Sequence, residues 1–200
     1  SKSPVPVMMN LKLTLKNGVL SILGSNNELT IKTDVLEGNA DKKIIYDIEN
    51  GATLIAAKYL TDIVKKIEGD YISFEIIDET IVTISDNRSN FKLNSIRADE
   101  YPEIYLDDAG TSFEVSVNDF KLLVDQTAFA ASQKEQRPVL TAVNLNGGSN
   151  LLIATATDSA RLARKEIGVK DVPFFSANVP AKVLVEVEKL LEGKDKVQIS

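Results

Sequence analysis

Few residues in this 200-residue chain are of the types that carry out catalysis. It has no Cys and no His, which removes the thiolate nucleophile, the commonest general base and the commonest metal ligands. Asp158 and Arg161 could form an acid–cation pair, but an Asp at this spacing typically caps a turn. No second carboxylate motif, metal-ligand spacing or glycine-rich phosphate loop accompanies them. The sequence therefore predicts a non-catalytic protein that needs no metal and no cofactor.

Paired lysines offer a different chemistry, the attraction of phosphate groups. Two pairs recur along the chain at fixed separations of 132 and 124 residues: Lys2 with Lys134, and Lys58 with Lys182. Ammonium groups attract the phosphates of a nucleic acid without reading its bases. The ordinary alternative is a solvated helix face, since Lys is mostly exposed in folded proteins.

The overall charge argues against a protein that holds nucleic acid by electrostatic affinity alone. The net charge is −6, and residues 1–108 carry 12 basic and 18 acidic side chains, while residues 109–200 carry 11 of each. A tight electrostatic DNA binder is expected to be basic.

The sequence has no apolar run long enough to span a bilayer and no secretory signal pattern at its start, so we expect a cytoplasmic protein with no membrane partner.

The sequence segments that position these residues occur twice in the chain. The stretch AKYLTDIVKKIEG at 57–69 returns as AKVLVEVEKLLEG at 181–193, a shift of 124. Two earlier stretches, VPVMMNLKL at 5–13 and GVLSILGSN at 18–26, return as RPVLTAVNL and NLLIATATD at a shift of 132. The change of shift predicts an intervening connection eight residues shorter in the second copy, and we infer tandem copies of one domain.

Each copy has the pattern of an α+β domain with antiparallel sheets and helices on one face. Alternating apolar positions around the turn at 16–18 predict a hairpin, and strands are expected at 30–37, 71–77, 80–86 and 90–96. Helices are expected at 57–68, 118–132 and 181–192, with Asn118 as N-cap and Phe120, Leu123, Val124 and Phe129 on one side of the second.

The second copy has a matching strand pattern. Strands are expected at 112–117, 138–145, 150–157 and 161–168, with a hairpin turn at 146–148. We place a domain boundary in the Pro-containing acidic stretch at 100–110, giving domains 1–108 and 109–200. The first copy has no counterpart of residues 113–133 and the second stops before its last strands, so we expect truncation at both ends.

The stretches SPVPVMMNLKL, VLSILGSNNELTI and AKYLTDIVKKI, followed by YPEI, FEVSVNDFKLLVDQTAFAASQKEQRPVLTAVNL and ATATDSARLA, closely resemble the bacterial sliding-clamp family, the beta subunits of DNA polymerase III. The resemblance implies subunits of three similar domains, with a third domain expected outside these 200 residues. It implies a head-to-tail homodimer ring around duplex DNA that acts as a processivity factor. The implied partners are DNA, bound without sequence preference, the polymerase III catalytic subunit, the clamp loader and other proteins with clamp-binding peptides.

The resemblance also implies roles for particular residues. The four paired lysines match DNA-facing positions of the family. A pocket for partner peptides is implied at Leu140, Thr157, Ser159, Ala160, Arg161 and Leu162. The chain departs from the family pattern at Ala160, where the family often has His, and at Ala142, where it often has Gly.

An acidic exterior with a sparse basic lining suits a protein that slides and is held by topology, because affinity grows with the number of phosphates neutralised. The alternative from a different class is a repeat-built peptide-binding scaffold that does not act on DNA. That alternative predicts no enrichment of lysines on one helix face.

Overall fold

A computed structural model describes residues 6–26, 28–38, 43–46, 48–106 and 110–200. The chain forms two compact units, residues 1–105 and residues 106–200, called unit 1 and unit 2 below. The predicted boundary between residues 108 and 109 lies outside the described residues, as does Lys2.

Unit 1 is built mainly from β-strands. Its elements are β1 (Asn10–Lys16), β2 (Val19–Ser25), β3 (Thr30–Leu36), β4 (Gly51–Ala56), α1 (Ala57–Val64), β5 (Ser73–Asp78), β6 (Ile81–Ser85), β7 (Asn90–Asn94) and β8 (Ile96–Arg97), with 3₁₀ turns at Pro6–Met9 and Ala98–Glu100. The strands form one sheet in the order β3-β2-β1-β4-β8 and a second in the order β5-β6-β7.

Unit 2 repeats much of this arrangement. Its elements are β9 (Phe113–Ser116), α2 (Val117–Asp125), β10 (Ala142–Gly148), β11 (Leu151–Thr157), β12 (Leu162–Gly168), β13 (Phe175–Pro180), α3 (Ala181–Leu190) and β14 (Lys196–Ile199), with 3₁₀ turns at Ala128–Ala130 and Pro138–Thr141. The strands form a sheet in the order β12-β11-β10-β13, called the unit 2 sheet below, and β14 pairs with β9.

The two units share strand order and strand register. Lys12 pairs with Leu23 in unit 1, and Asn144 pairs with Thr155 in unit 2, a shift of 132 on both strands. On the other side of the central strand, Asn10 pairs with Ala56. Ala142 pairs with Pro180 at the same place in unit 2. The predicted repeat is confirmed, and the shift drops to 124 between β3 and β4, where unit 2 has the shorter connection.

Every strand pairing in the described ranges is antiparallel, so the α+β class with antiparallel sheets is confirmed. Sheets of this kind bury one face against helices and leave the other toward water. In unit 2, α2 and α3 pack against each other, and Phe120, Leu123 and Val124 of α2 enter the core. In unit 1, Leu60 and Ile63 of α1 meet Leu13 of β1 and residues of β6.

The units differ at one sheet edge. In unit 2, β9 pairs with β14 and leads into α2, which covers the core. The described part of unit 1 contains no counterpart of β9 and α2. Phe74, Ile76 and Ile77 of β5 are accordingly exposed there.

Helix α2 corrects two expectations. Its N-cap is Ser116, whose hydroxyl accepts a hydrogen bond from the Asp119 amide at 3.0 Å, so Asn118 lies inside the first turn. The helix ends at Asp125, and a 3₁₀ turn at 128–130 follows. Phe129 therefore leaves the helical spacing that would have buried it, and it is 59% exposed.

Other predicted element boundaries also differ from those in the structure. Helix α1 ends at Val64 rather than 68, although the Ile67 amide still donates to the Ile63 carbonyl at 3.1 Å. The predicted turn at 146–148 was wrong, because Gly147 and Gly148 continue β10 and the chain reverses at Ser149 and Asn150, both with positive φ. The predicted strand at 138–145 starts only at Ala142, after a 3₁₀ turn. The strands β4, β13 and β14 were not predicted.

Candidate functional site

The turn between β11 and β12 is held by side-chain hydrogen bonds to the backbone. Asp158 Oδ1 accepts from the amides of Ala160 and Arg161, both at 3.0 Å. Thr157 Oγ1 donates to the Arg161 carbonyl at 2.6 Å and accepts from the Ser159 amide at 3.1 Å. Ser159 has a φ of 78°, the left-handed conformation that a tight reversal requires. The expected role of Asp158 as a turn cap is confirmed.

The same capping hydrogen bonds occur in unit 1, 132 residues earlier. Asn26 Oδ1 accepts from the amides of Glu28 and Leu29, both at 2.8 Å. Asn26 takes the place of Asp158, and Leu29 takes the place of Arg161. The reversal therefore forms with an uncharged cap and without an arginine, so the charges of Asp158 and Arg161 in unit 2 are not needed to make the turn.

The Arg161 guanidinium is held from two sides. Its Nε donates to Asp158 Oδ2 at 3.0 Å. Its Cζ lies 5.8 Å from the centre of the Phe129 ring, within the range of a cation–π contact. Hydrogen bonds from the Arg161 and Ala160 amides, with a smaller contribution from the guanidinium charge, lower the pKa of the Asp158 carboxyl below its usual value. The result is a fixed, partly exposed cation at the tip of the turn.

The predicted pocket residues lie at one end of the unit 2 sheet. Thr157 pairs with Leu162 across β11 and β12. The register of β10 and β11, continued by two residues, brings Ala142 opposite Thr157. Leu140 precedes Ala142 by two residues, and its carbonyl accepts from the Ser132 amide at 2.7 Å. The segment that follows the 3₁₀ turn at 128–130 is thereby tied to the same end of the sheet.

These residues form an open, mixed surface. Leu162 is 67% exposed, Ser159, Ala160 and Arg161 are exposed, and Leu140 and Thr157 are half-buried. An apolar surface edged by one arginine can accept apolar side chains of an extended peptide and orient it through the charge. With Ala160 in the turn, no imidazole contributes to this surface.

Phe129 was missed as a member of this site. The sequence pattern assigned it to the buried side of a helix, but Ala128 and Ala130 are the buried residues and Phe129 points away from the core. A sequence signal was available in the Ala-Phe-Ala run, where two small residues flank the large one. The exposed Val139, next to Leu140, was missed as well.

Three of the four lysines predicted to face DNA lie among the described residues, and all three are exposed. Lys58 and Lys182 are the second residues of α1 and α3, and both are exposed. Lys134 is exposed in the segment between the two 3₁₀ turns of unit 2, where its amide donates to Ser132 Oγ at 3.0 Å.

Both helices also carry an acid on the lysine face, which sequence reasoning missed. Asp62 and Glu186 follow Lys58 and Lys182 by four residues, one turn along the helix. Glu186 Oε1 accepts a hydrogen bond from the Lys189 ammonium in an ion pair at 2.7 Å. The alternation of lysine, acid and lysine dilutes the positive charge of each helix face.

A separate cleft of about 530 Å³ lies between β9, β14 and the residues after β12. The ion pair of Lys196 with Glu114, at 2.7 Å, borders it. None of the predicted site residues lines this cleft.

Across the described ranges, no group of three or more Asp or Glu residues is placed to hold a metal ion. None of the described helices has the length and apolar character needed to cross a bilayer.

Two family profiles match the chain one after the other. Residues 1–105 match the N-terminal domain of the DNA polymerase III beta subunit, and residues 114–200 match its central domain. The beta sliding clamp of Bacillus subtilis is 28% identical over 200 residues, covering 98% of this chain and 53% of the relative. That of Staphylococcus epidermidis is 31% identical over 198 residues, covering 97% and 52%.

Solved structures give the same result. The crystal structure of the DNA polymerase sliding clamp from Bacillus subtilis superposes with a TM-score of 0.94 at 29% identity, covering 100% of this chain and 53% of that one. A Pseudomonas aeruginosa sliding clamp bound to griselimycin superposes with a TM-score of 0.86 at 25% identity, covering 100% and 53%. The chain spans about half the length of the relatives it matches.

Proposed function

The chain belongs to the DNA polymerase III beta subunit family, the bacterial sliding clamps, and we propose on that basis that it forms part of a ring that encircles duplex DNA and tethers the replicative polymerase. The observation that carries the proposal is that both compact units match consecutive domains of the family and share one strand register. The ring is a homodimer of the full-length protein, acts in the cytoplasm and catalyses no reaction.

Holding DNA by topology is compatible with the charges of this chain. Lys2, Lys58, Lys134 and Lys182 face the duplex in this proposal and contact phosphates without reading bases. Asp62 and Glu186 keep the helix faces from becoming strongly basic. A weak, mobile electrostatic contact lets the ring move along the duplex, because each neutralised phosphate adds salt-dependent affinity.

The end of the unit 2 sheet receives partner peptides. Leu140, Thr157, Ser159, Ala160, Arg161 and Leu162 contact a short extended segment from the polymerase catalytic subunit, the clamp loader or another partner. The exposed Leu162 and the fixed Arg161 side chain support this role, and the related Pseudomonas aeruginosa clamp binds griselimycin. We expect griselimycin to compete with partner peptides for this site.

Retention on circular DNA tests whether the full-length protein encircles the duplex. The full-length protein is loaded onto nicked circular duplex by the clamp loader, the complex is isolated by gel filtration, and half of it is linearised with a restriction enzyme. We expect protein to stay on the circles and to leave the linear molecules by sliding off their ends. Blocking both ends with a tightly bound protein should restore retention.

Equal loss from circular and linear DNA would contradict encirclement. Together with intact peptide binding, that outcome would favour the alternative, a peptide-binding scaffold that does not act on DNA. The DNA and peptide measurements therefore separate the two functions.

A further inference from the structure

Phe129 is an exposed aromatic residue that the turn of the chain holds in place. Its neighbours Ala128 and Ala130 are 9% and 0% exposed and belong to the core of unit 2, whereas Phe129 itself is 59% exposed. The buried alanines fix the backbone on both sides of the ring. A single exposed apolar residue needs no explanation by itself, so the argument depends on what the ring contacts.

The ring contacts the one charged residue of the predicted peptide site. The Arg161 guanidinium carbon lies 5.8 Å from the ring centre, and Arg161 Nε donates to Asp158 Oδ2 at 3.0 Å. The counterpart turn in unit 1 forms with Leu29 and Asn26 in place of Arg161 and Asp158. The arrangement of ring, guanidinium and carboxylate is therefore additional to what the turn needs.

From this geometry we propose that Phe129 is a positioning residue of the partner-peptide site, which holds the Arg161 side chain against the sheet end where the peptide lies. The proposal rests on the proposed peptide-binding function of unit 2. A long Arg side chain loses rotamer entropy when it is fixed on binding. A ring and a carboxylate that fix it beforehand lower that loss, and exclusion of water by the peptide strengthens the cation–π contact.

The test is fluorescence anisotropy of the full-length protein with a labelled C-terminal peptide of the DNA polymerase III catalytic subunit. A cation–π contact is stronger when it is desolvated than when it is exposed. We therefore expect Phe129→Leu to weaken binding about 3- to 10-fold. Phe129→Tyr, which keeps the ring, should restore affinity to within about twofold of wild type.

The coupling with Arg161 identifies the mechanism. In an Arg161→Ala background, Phe129→Leu should change affinity by less than about twofold, because the ring then has no guanidinium to hold. An NMR spectrum of the Arg161 Hε–Nε group gives a readout independent of binding. Its proton shift should change in Phe129→Leu and return in Phe129→Tyr, because the ring current of an adjacent aromatic ring shifts it.

Phe174→Leu is the matched control. Phe174 is 85% exposed in the same unit, and it lies against Gly148 at the opposite end of the unit 2 sheet. We expect this variant to bind like the wild type. An affinity of Phe129→Leu equal to that of the wild type would overturn the role of Phe129 and leave the peptide site standing.

Two other outcomes would also overturn it. An equal loss in the wild-type and Arg161→Ala backgrounds would mean that Phe129 acts through contacts of its own. No binding of the peptide by the wild type would overturn the proposed peptide-binding function and this role with it.

Discussion

At the scale of single residues, the Asp158 carboxylate combines two tasks that unit 1 shows to be separable. One oxygen caps the turn, as Asn26 does in unit 1, and the other pairs with Arg161. Asp158→Asn should therefore keep the turn and lose the ion pair, whereas Asp158→Ala should lose both. We expect a thermal midpoint close to wild type for the first variant and a lower one for the second, measured by circular dichroism.

The contribution of the Asp158 carboxylate to the stability of the folded state changes with pH in a defined direction. Hydrogen bonds from the Arg161 and Ala160 amides lower the folded-state pKa of Asp158 below the unfolded value of about 3.9. The carboxylate therefore contributes stability above that value, and the contribution is lost as pH falls through the lower folded pKa. An NMR titration of the Asp158 carboxyl carbon should show a midpoint below 3.9. A midpoint at or above 3.9 would contradict the capping geometry.

At the scale of elements, the end of α2 controls where Phe129 lies. Thr127 is fully buried, and its Oγ1 donates to the Leu123 carbonyl at 2.6 Å, where the helix gives way to the 3₁₀ turn. Thr127→Val keeps the volume and removes this donor from a buried carbonyl. We expect the free energy of unfolding of unit 2 to fall by about 1–3 kcal/mol, measured by urea denaturation followed through NMR signals of unit 2.

An exposed threonine with the same kind of bond provides the comparison. Thr61 Oγ1 donates to the Ala57 carbonyl of α1 at 2.7 Å, but Thr61 is exposed, so water can take its place. Thr61→Val should change the stability of unit 1 by no more than about 0.5 kcal/mol. Equal effects of the two substitutions would mean that burial of the hydroxyl at Thr127 is not what matters.

At the scale of the whole molecule, the few phosphate contacts proposed here predict a shallow salt dependence. Each phosphate neutralised on duplex DNA adds about −0.9 to the slope of log affinity against log salt. In the full-length protein, replacing Lys58 and Lys182 together by Ala removes four lysines from the homodimer ring, so the slope should become shallower by about 3.6. The measurement is equilibrium binding to a short linear duplex over a range of salt concentrations.

The control for this prediction replaces lysines outside the helices. Lys16 ends β1 and Lys170 follows β12, and both are exposed. Their double Ala variant should keep the wild-type slope. If both double variants reduced the slope equally, the contact would be a diffuse charge effect rather than a lysine-lined path.

The repeat and the hairpin strands could be predicted because side-chain alternation and matching residues are local signals. The pocket positions Thr157 and Leu162 followed from resemblance, and the structure brings them together across two strands. Phe129 could not be placed, because periodicity does not report that α2 ends at Asp125 and is followed by a 3₁₀ turn at 128–130. Strand β13 was missed although its apolar residues Phe175, Ala177 and Val179 alternate with polar ones, and its pairing with β10 defines it.

The shared strand register has a consequence for how variation in this chain can be read. Each position of the unit 2 sheet has a partner 132 or 124 residues earlier with the same backbone neighbours. A substitution map of one unit is therefore a baseline for the other, obtained in the same molecule under the same conditions. Subtracting one map from the other removes the substitution effects that come from the shared backbone arrangement. The differences that remain between the two maps, as at Leu29 and Arg161, identify positions where one unit has a requirement that the other lacks.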